Sequence, residues 1–444
     1  MRAESRSWWW GVAPAVIFIV AAGISGLIGD VEVSSNAVAT GRGFTEDPRR
    51  LIVLGLSYLW ALMWLLPRAR EVSALALRIW PLWLLVGYAS ASMLWSPVPF
   101  KIFINCGHYA GETLIALAAV SAVRDDLRRL ALALIAALGI VIVLSLLAVR
   151  LGWPNSIDIE SGRWGGTAGN ANSLGLMSAA LLGAAMSMFL APGHRLVRLA
   201  SGGLALAALL ALRGSGSATA IIFGAVLTGG VVWLQFGRKD APTGLSIRMV
   251  SGVFMACLLG AAAISFLPEI FQKSTWLGVF GKSENLSGRT QVWEFGWQLF
   301  LQKPLLGHGF DSLASVLAGF WKRVGHLHNG YLDLLVRGGI VGLLIYSVTL
   351  LRGIYRLLQM TARTPQGAFW FMFVVGDLVY ELAEASLMRP VHVFWLIFMI
   401  AVTVAEKSRL LQWSATVKDT RALSPAIGSR DRSAGAVAFP NLLR

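Results

Sequence analysis

A pair of histidines, three separated arginines and a run of glycine and asparagine are the residues here whose types and spacing could do chemistry. His326-Leu327-His328-Asn329-Gly330-Tyr331-Leu332 runs through Arg337, Gly338 and Gly339 into an apolar stretch. Asn329 is a residue type that caps the helix following it. That puts His328 at or just before a helix N-terminus, where the positive end of the helix dipole disfavours imidazolium. A histidine neutral near pH 7 is what a general base must be. The bland alternative is an ordinary surface histidine, and it is the preferred reading of His326. Two histidines at this spacing are also metal-ligand types, but no third ligand stands at a suggestive distance along the chain, so no metal and no cofactor is expected.

Three further stretches supply binding groups. Gly162-Arg163-Trp164-Gly165-Gly166-Thr167-Ala168-Gly169-Asn170-Ala171-Asn172 precedes an apolar run. Its glycines let backbone approach a ligand, and its amides offer uncharged hydrogen bonds at a helix start; a turn with an N-cap is the structural alternative. Arg213-Gly214-Ser215-Gly216-Ser217 is a tight turn between two apolar runs, with Arg213 either a ligand contact or a snorkelling anchor. Ser287-Gly288-Arg289-Thr290 opens an amphipathic segment; a guanidinium beside free helix N–H groups suits a phosphate. Arg163, Asn172, Arg213, Arg289 and Asn329 are therefore the candidate substrate-binding residues, and His328 is the candidate catalytic one. Asp377, Glu381 and Glu384 fall at i, i+4 and i+7 of an apolar run. They are expected on one helical face, paired with arginines such as Arg337 or Arg389 rather than relaying protons.

The elements that must position these groups are membrane helices. Hydrophobic residues make up 56% of the 444, charged residues 14%, and mean hydropathy is +0.66, which excludes a soluble single domain. Cys106 and Cys257 both lie in apolar runs, so they read as small core residues and not as a disulfide or thiolate cluster. Apolar runs long enough to cross the bilayer recur along the chain, giving an all-α polytopic membrane protein of about twelve transmembrane helices. These are expected near 8–28 (retained, not a cleaved signal), 51–67, 79–96, 103–120, 130–149, 173–190, 196–212, 217–236, 249–267, 339–358, 369–387 and 391–404. The net charge of +15 collects in alternate short loops and in the tail. The positive-inside rule then puts both termini in the cytoplasm and all four chemically interesting stretches on the outer face of a bacterial inner membrane.

One long outer loop, about 268–338, separates the ninth and tenth spans. Val292, Gly296, Leu299 and Phe300 share a helical face there, and Pro304 stops the helix. A transmembrane domain is thus expected over 1–405 with this loop inserted, followed by a basic, non-periodic cytoplasmic tail over 406–444 that is expected to be disordered and to lie against anionic lipid.

The Gly169-to-Asn172 run, Arg213 in its turn, Gly288-Arg289…Trp293…Pro304-Leu305-Leu306-Gly307-His308-Gly309-Phe310 and His328-Asn329-Gly330-Tyr331-Leu332…Gly338-Gly339-Ile340-Val341-Gly342-Leu343 resemble the O-antigen ligase and polymerase superfamily. The resemblance runs from about Gly162 to the end of the eleventh span; the first five spans resemble the family by number and hydropathy alone. It implies a metal-independent glycosyltransferase at the periplasmic face that moves a glycan from an undecaprenyl diphosphate carrier to an acceptor sugar hydroxyl. It further implies that His328 acts on the acceptor and that Arg213 and Arg289 hold the diphosphate. Arg337 departs from the family, standing where many relatives carry an acidic residue, and His308 takes no assigned role. The single long outer loop favours an O-antigen ligase, with lipid A-core as acceptor, over a polymerase that extends a lipid-linked glycan. A transporter or flippase is the rival from another class, but internal repeats and paired broken helices are not evident.

Overall fold

A computed structural model of the chain describes residues 8–28, 48–123, 126–159, 161–236, 287–310, 326–361 and 364–407. Its long helices are α1 (Trp8–Gly23), α2 (Pro48–Leu65), α3 (Ala69–Arg78), α4 (Trp80–Ala91), α5 (Pro99–Ala122), α6 (Leu127–Arg150), α7 (Ala171–Leu190), α8 (Arg195–Ser215), α9 (Ala218–Phe236), α10 (Ser287–Gln302), α11 (Gly330–Thr361), α12 (Pro365–Tyr380) and α13 (393–407). Among the described residues no strand ladder forms, only an isolated bridge between Ile157 and Trp164. Six of these stretches, with α2 and α3 counted as one, are long and apolar enough to cross a bilayer, and α1 and α4 are shorter apolar helices. The chain is an all-α, multi-pass membrane protein. The expected span at 249–267 and the tail beyond 407 lie outside the described residues.

Lipid acts as the solvent for the periphery. Ile52, Leu56 and Met63 of α2, Leu206 and Leu210 of α8, and Leu344, Leu351 and Tyr355 of α11 are exposed, an apolar surface that water would not tolerate at this extent. The centre is built from α7, α12 and α13. Every side chain from Phe369 to Val375, and every one from Phe394 to Ala405, is buried, as expected of helices apolar on all sides. α7 packs against α6, α8, α9 and α12. Small residues allow that approach: a Cβ at Gly183 would fall 2.5 Å from Leu227.

Local chemistry sets the helix ends that matter. Asn170 caps α7, its Oδ1 accepting the N–H groups of Asn172 (2.8 Å) and Ser173 (3.3 Å). Asn329 caps α11, accepting from Leu332 N at 3.0 Å, as its position before that helix predicts. α11 is 32 residues long and broken at Gly339, whose φ of 62° and ψ of −166° leave the helical region. The break releases N–H groups that would otherwise bond within the helix. Ile340 and Val341 donate instead to the carbonyls of Pro304 and Leu305 (2.8 and 3.2 Å), while His308 and Gly309 donate to Val336 and Arg337 (2.8 and 2.9 Å). A side chain at Gly339 would meet the Leu305 carbonyl at 2.2 Å, so only glycine fits this crossing.

Two expected spans differ from what forms. The tenth is expected from Gly339, whereas its helix begins at Gly330. The eleventh is expected to reach Leu387, whereas α12 stops at Tyr380 and 381–392 is turn and irregular chain. Tertiary partners explain the stop by taking the groups that a continued helix would use. Asn329 Nδ2 donates to the Leu382 carbonyl (3.2 Å) and Tyr331 Oη to that of Leu378 (2.9 Å), while the Glu381 carboxylate takes the N–H of Ser386 (2.9 Å). Asp377, Glu381 and Glu384 therefore do not share a helical face. Glu381 bonds Ser386, through its hydroxyl as well as its N–H. Arg337 does not pair with this acidic set. Its Nη1 and Nη2 donate to the Met388 and Leu387 carbonyls (3.0 and 2.7 Å), and its ion-pair partner is Asp333 at 3.9 Å.

Candidate functional site

Chain segments far apart in sequence meet at one end of the bundle. The 326–329 segment arrives just before α11, and His328 takes φ 53°, a left-handed backbone that costs a non-glycine residue of order 1–3 kcal/mol. The turn after α12 brings Glu384, and that turn also holds strained residues, Met388 at φ 46° and Val391 at φ 58°. His328 Nδ1 lies 3.2 Å from Glu384 Oε2, and His326 Nε2 lies 3.7 Å from the same oxygen. The two imidazoles are in ring contact, with centroids 4.0 Å apart. Burial first, then the Arg389 guanidinium, pushes His326 below the usual histidine value, with Glu384 pulling the other way. His326 is thereby favoured as a neutral ring.

The other oxygen of Glu384 is held from α7. Asn172 Nδ2 donates to Oε1 at 3.0 Å, and Asn172 Oδ1 accepts from Arg163 Nη2 at 2.6 Å. Arg163 Nε in turn donates to the Ser215 carbonyl at 2.8 Å, and Trp164 N to that of Gly214 at 2.9 Å. The Arg163 loop is thus fastened onto the turn that ends α8. Side-chain exposure is 29% for His328 and 6% for Glu384, so a substrate can reach the imidazole but not the carboxylate behind it.

α10 completes the wall. Val292, Leu299 and Phe300 bury themselves against Leu327 and Val336, and the Trp293 indole N–H donates to the Leu327 carbonyl at 2.9 Å, between the two histidines. Each such apolar side chain contributes about 1.5–3 kcal/mol when buried, against roughly 1 kcal/mol for one hydrogen bond. Packing therefore docks α10, and the indole sets its register. Gly330 lets the turn close: its N–H meets the Glu381 carbonyl at 2.8 Å, and a Cβ there would fall 1.6 Å from Glu381 Oε2.

The sequence-derived residues divide accordingly. His328, Arg163 and Asn172 come together in one hydrogen-bonded group. Asn329 stands beside it with both ends of its amide engaged, one by the cap of α11 and one by Leu382. Arg213 is exposed in the last turn of α8, one residue from the loop contact at Gly214 and two from that at Ser215, and no contact joins its side chain to the histidines among the described residues. Arg289 falls in the first turn of α10, where only the backbone is described. The sequence reading missed Glu384 as a partner of the histidines. With it, His326, His328 and Glu384 place one ligand atom each within 4.8 Å of one another. The third group of a metal-binding type, which no chain spacing suggested, thus comes from another element 56 residues further on.

A family model described as O-Antigen ligase matches residues 203–347. The exopolysaccharide production protein ExoQ of Rhizobium meliloti (strain 1021) is 26% identical over 310 residues, which cover 66% of this chain and 68% of that protein. Over residues 203–347 the chain is similar to the O-antigen ligase family. The matched stretch carries Arg213, Arg289, His326 and His328 but neither Arg163 and Asn172 before it nor Glu384 after it. The groups that surround His328 in space are thus supplied from both flanks of the matched stretch.

Proposed function

We propose that this protein transfers a glycan from an undecaprenyl diphosphate carrier to an acceptor sugar hydroxyl at the periplasmic face of a bacterial inner membrane, as an O-antigen ligase does. The observation that carries the reading is a solvent-reachable His328 backed by a buried Glu384 at the bundle end where the Arg163 and Arg213 turns also meet. His328 takes the proton of the acceptor hydroxyl as that oxygen bonds to the anomeric carbon. The bond from that carbon to the diphosphate breaks, and its electron pair leaves with undecaprenyl diphosphate. Because that leaving group is already good, the protein need only remove one proton and neutralise developing negative charge. Arg213 and Arg289 are assigned the second task, and Arg163, fastened to the end of α8, adds a further positive charge beside the site. With both termini cytoplasmic, as the charge of the short loops favours, the site faces the periplasm.

The likeness to an exopolysaccharide production protein supports a second reading, in which the acceptor is the end of another lipid-linked glycan and the product is a longer one. One experiment separates them. Purified protein in lipid is supplied with an undecaprenyl diphosphate-linked glycan, with or without lipid A-core. Glycan on lipid A-core supports the ligase, and lengthened lipid-linked glycan without it supports the polymerase. Movement of donor across the bilayer with no new glycosidic bond would overturn both in favour of a flippase.

A further inference from the structure

We propose that Glu384 is the positioning carboxylate of this site: it accepts the Nδ1–H of His328 and so fixes the tautomer whose Nε2 is unprotonated and turned to the acceptor. The inference deepens the reading of His328 as base and rests on it. It begins with the proton count around the carboxylate. Oε1 faces the Asn172 amide, which donates, and Oε2 faces the two imidazole nitrogens. A carboxylate ringed by donors is an acceptor at both oxygens, so the His328 nitrogen facing it must carry the hydrogen. A neutral imidazole has one N–H, which leaves Nε2 with a lone pair.

The surroundings are built to hold Glu384 where it is. Asn172 fixes Oε1 and is itself fixed by Arg163, whose Nε is tied to the end of α8. The turn that carries Glu384 is held by Arg337 at Leu387 and Met388, by Tyr109 at Met388 (2.6 Å), by Glu112 at the Val391 N–H (2.6 Å) and by Asn329 at Leu382. These anchors come from α5, from α11 and from the residue capping it, and they hold in place a turn with strained backbone at Met388 and Val391. Arg337, the residue that departs from the superfamily pattern, thus acts as a clamp on this turn. A carboxylate hydrogen-bonded to the far nitrogen of a base histidine is how an imidazole is kept in the correct tautomer and orientation, and its loss leaves the ring present but misprotonated.

The test reads the tautomer directly. The chain has six histidines, so protein with 15N-labelled imidazoles, purified into lipid, gives a readable nitrogen spectrum in which His328 is identified by its disappearance in His328→Gln. The expected wild-type pattern is a protonated Nδ1 and an unprotonated Nε2. Glu384→Gln keeps the shape but offers an amide N–H to Nδ1, so the proton should move to Nε2. In the same preparation, supplied with undecaprenyl diphosphate-linked glycan, kcat should fall by about 10²- to 10⁴-fold with little change in donor KM. Asn172→Ala, which removes one hold on the carboxylate, should shift the tautomer population partway and serves if Glu384→Gln does not fold. A wild-type His328 already protonated at Nε2, or a spectrum indifferent to both substitutions, overturns the proposal. So does stoichiometric metal in the purified protein whose chelation changes both imidazole signals, since Oε2 would then be a metal ligand. A tautomer that moves as expected in a protein whose turnover survives both His328→Gln and Glu384→Gln keeps the positioning contact and overturns instead the reading of His328 as base.

Discussion

The two ends of the helix bundle both bury a glutamate, and they treat it in opposite ways. At the end away from the site, Glu406 of α13 is 1% exposed and lies between two arginines of α11: Arg352 Nε meets Oε1 at 2.5 Å, and Arg356 pairs with Oε2. The helices there are regular, and the neighbouring Lys407 Nζ donates to the Val120 carbonyl at 2.7 Å. At the site end, Glu384 sits on a turn with strained backbone and is met by imidazoles and an amide. A permanent charge pair locks helices together, because removing one partner strands the other in a medium that solvates it poorly. A carboxylate against imidazole keeps a proton in a chosen place, and its surroundings must be held by other means. Here those means are the carbonyl contacts of Arg337 and the amide contacts of Asn329 and Asn172.

The contrast is broken most severely at His328. His328→Ala should lower transfer by about 10²- to 10⁴-fold in a purified assay while leaving the thermal midpoint near wild type, and a variant with full turnover would make the site end as structural as the other. Glu406→Gln should do the reverse. It leaves two arginines facing a neutral amide, at a cost of about 3–5 kcal/mol, visible as a lowered unfolding midpoint in detergent with turnover per folded molecule retained; an unchanged midpoint would mean that the pair locks nothing. Gly330→Ala comes next, forcing a methyl group against Glu381, and overpacking of this kind costs about 1–3 kcal/mol. Because the strain falls on the turn that carries Glu384, activity should drop further than stability, and equal losses would argue that the turn serves folding alone. The smallest effect is expected from Asn329→Ala, about 0.5–2 kcal/mol for a lost cap, read as faster hydrogen exchange in the first turn of α11; exchange as slow as wild type would show that Gly330 and Tyr331 hold the turn without it.

Much of the bundle was legible in the sequence, because span length and apolar content are properties of contiguous residues. The cap at Asn329 and the buried face of α10 were legible for the same reason: each is settled within one or two helical turns. The histidine motif could be read as chemistry because it too is local. What the sequence hid depends on contacts between remote segments. The eleventh span looks helical to Leu387, and only Asn329, Tyr331 and Ser386 taking its hydrogen-bonding groups end it at Tyr380. Once that helix ends, the regular spacing of Asp377, Glu381 and Glu384 no longer describes where they point. The carboxylate that meets the histidines was visible as a residue and invisible as a partner. Arg337 illustrates the same limit, since its charge suggested an acidic partner in α12 and its donors went largely to carbonyls.

The break at Gly339 also fixes a depth. The part of α11 that follows it is about 22 residues, roughly 33 Å of helix, close to the hydrocarbon thickness of a bilayer. The nine residues before it, about 13 Å of helix, join the histidines to that span. A diphosphate whose tail stays in the membrane rides at a height set by the bilayer, whereas the imidazole rides at a height set by this helix. Bilayer thickness is therefore one of the distances in the proposed reaction, and hydrophobic mismatch, which tilts helices or thins lipid around them, displaces donor and base relative to each other without altering a single side chain.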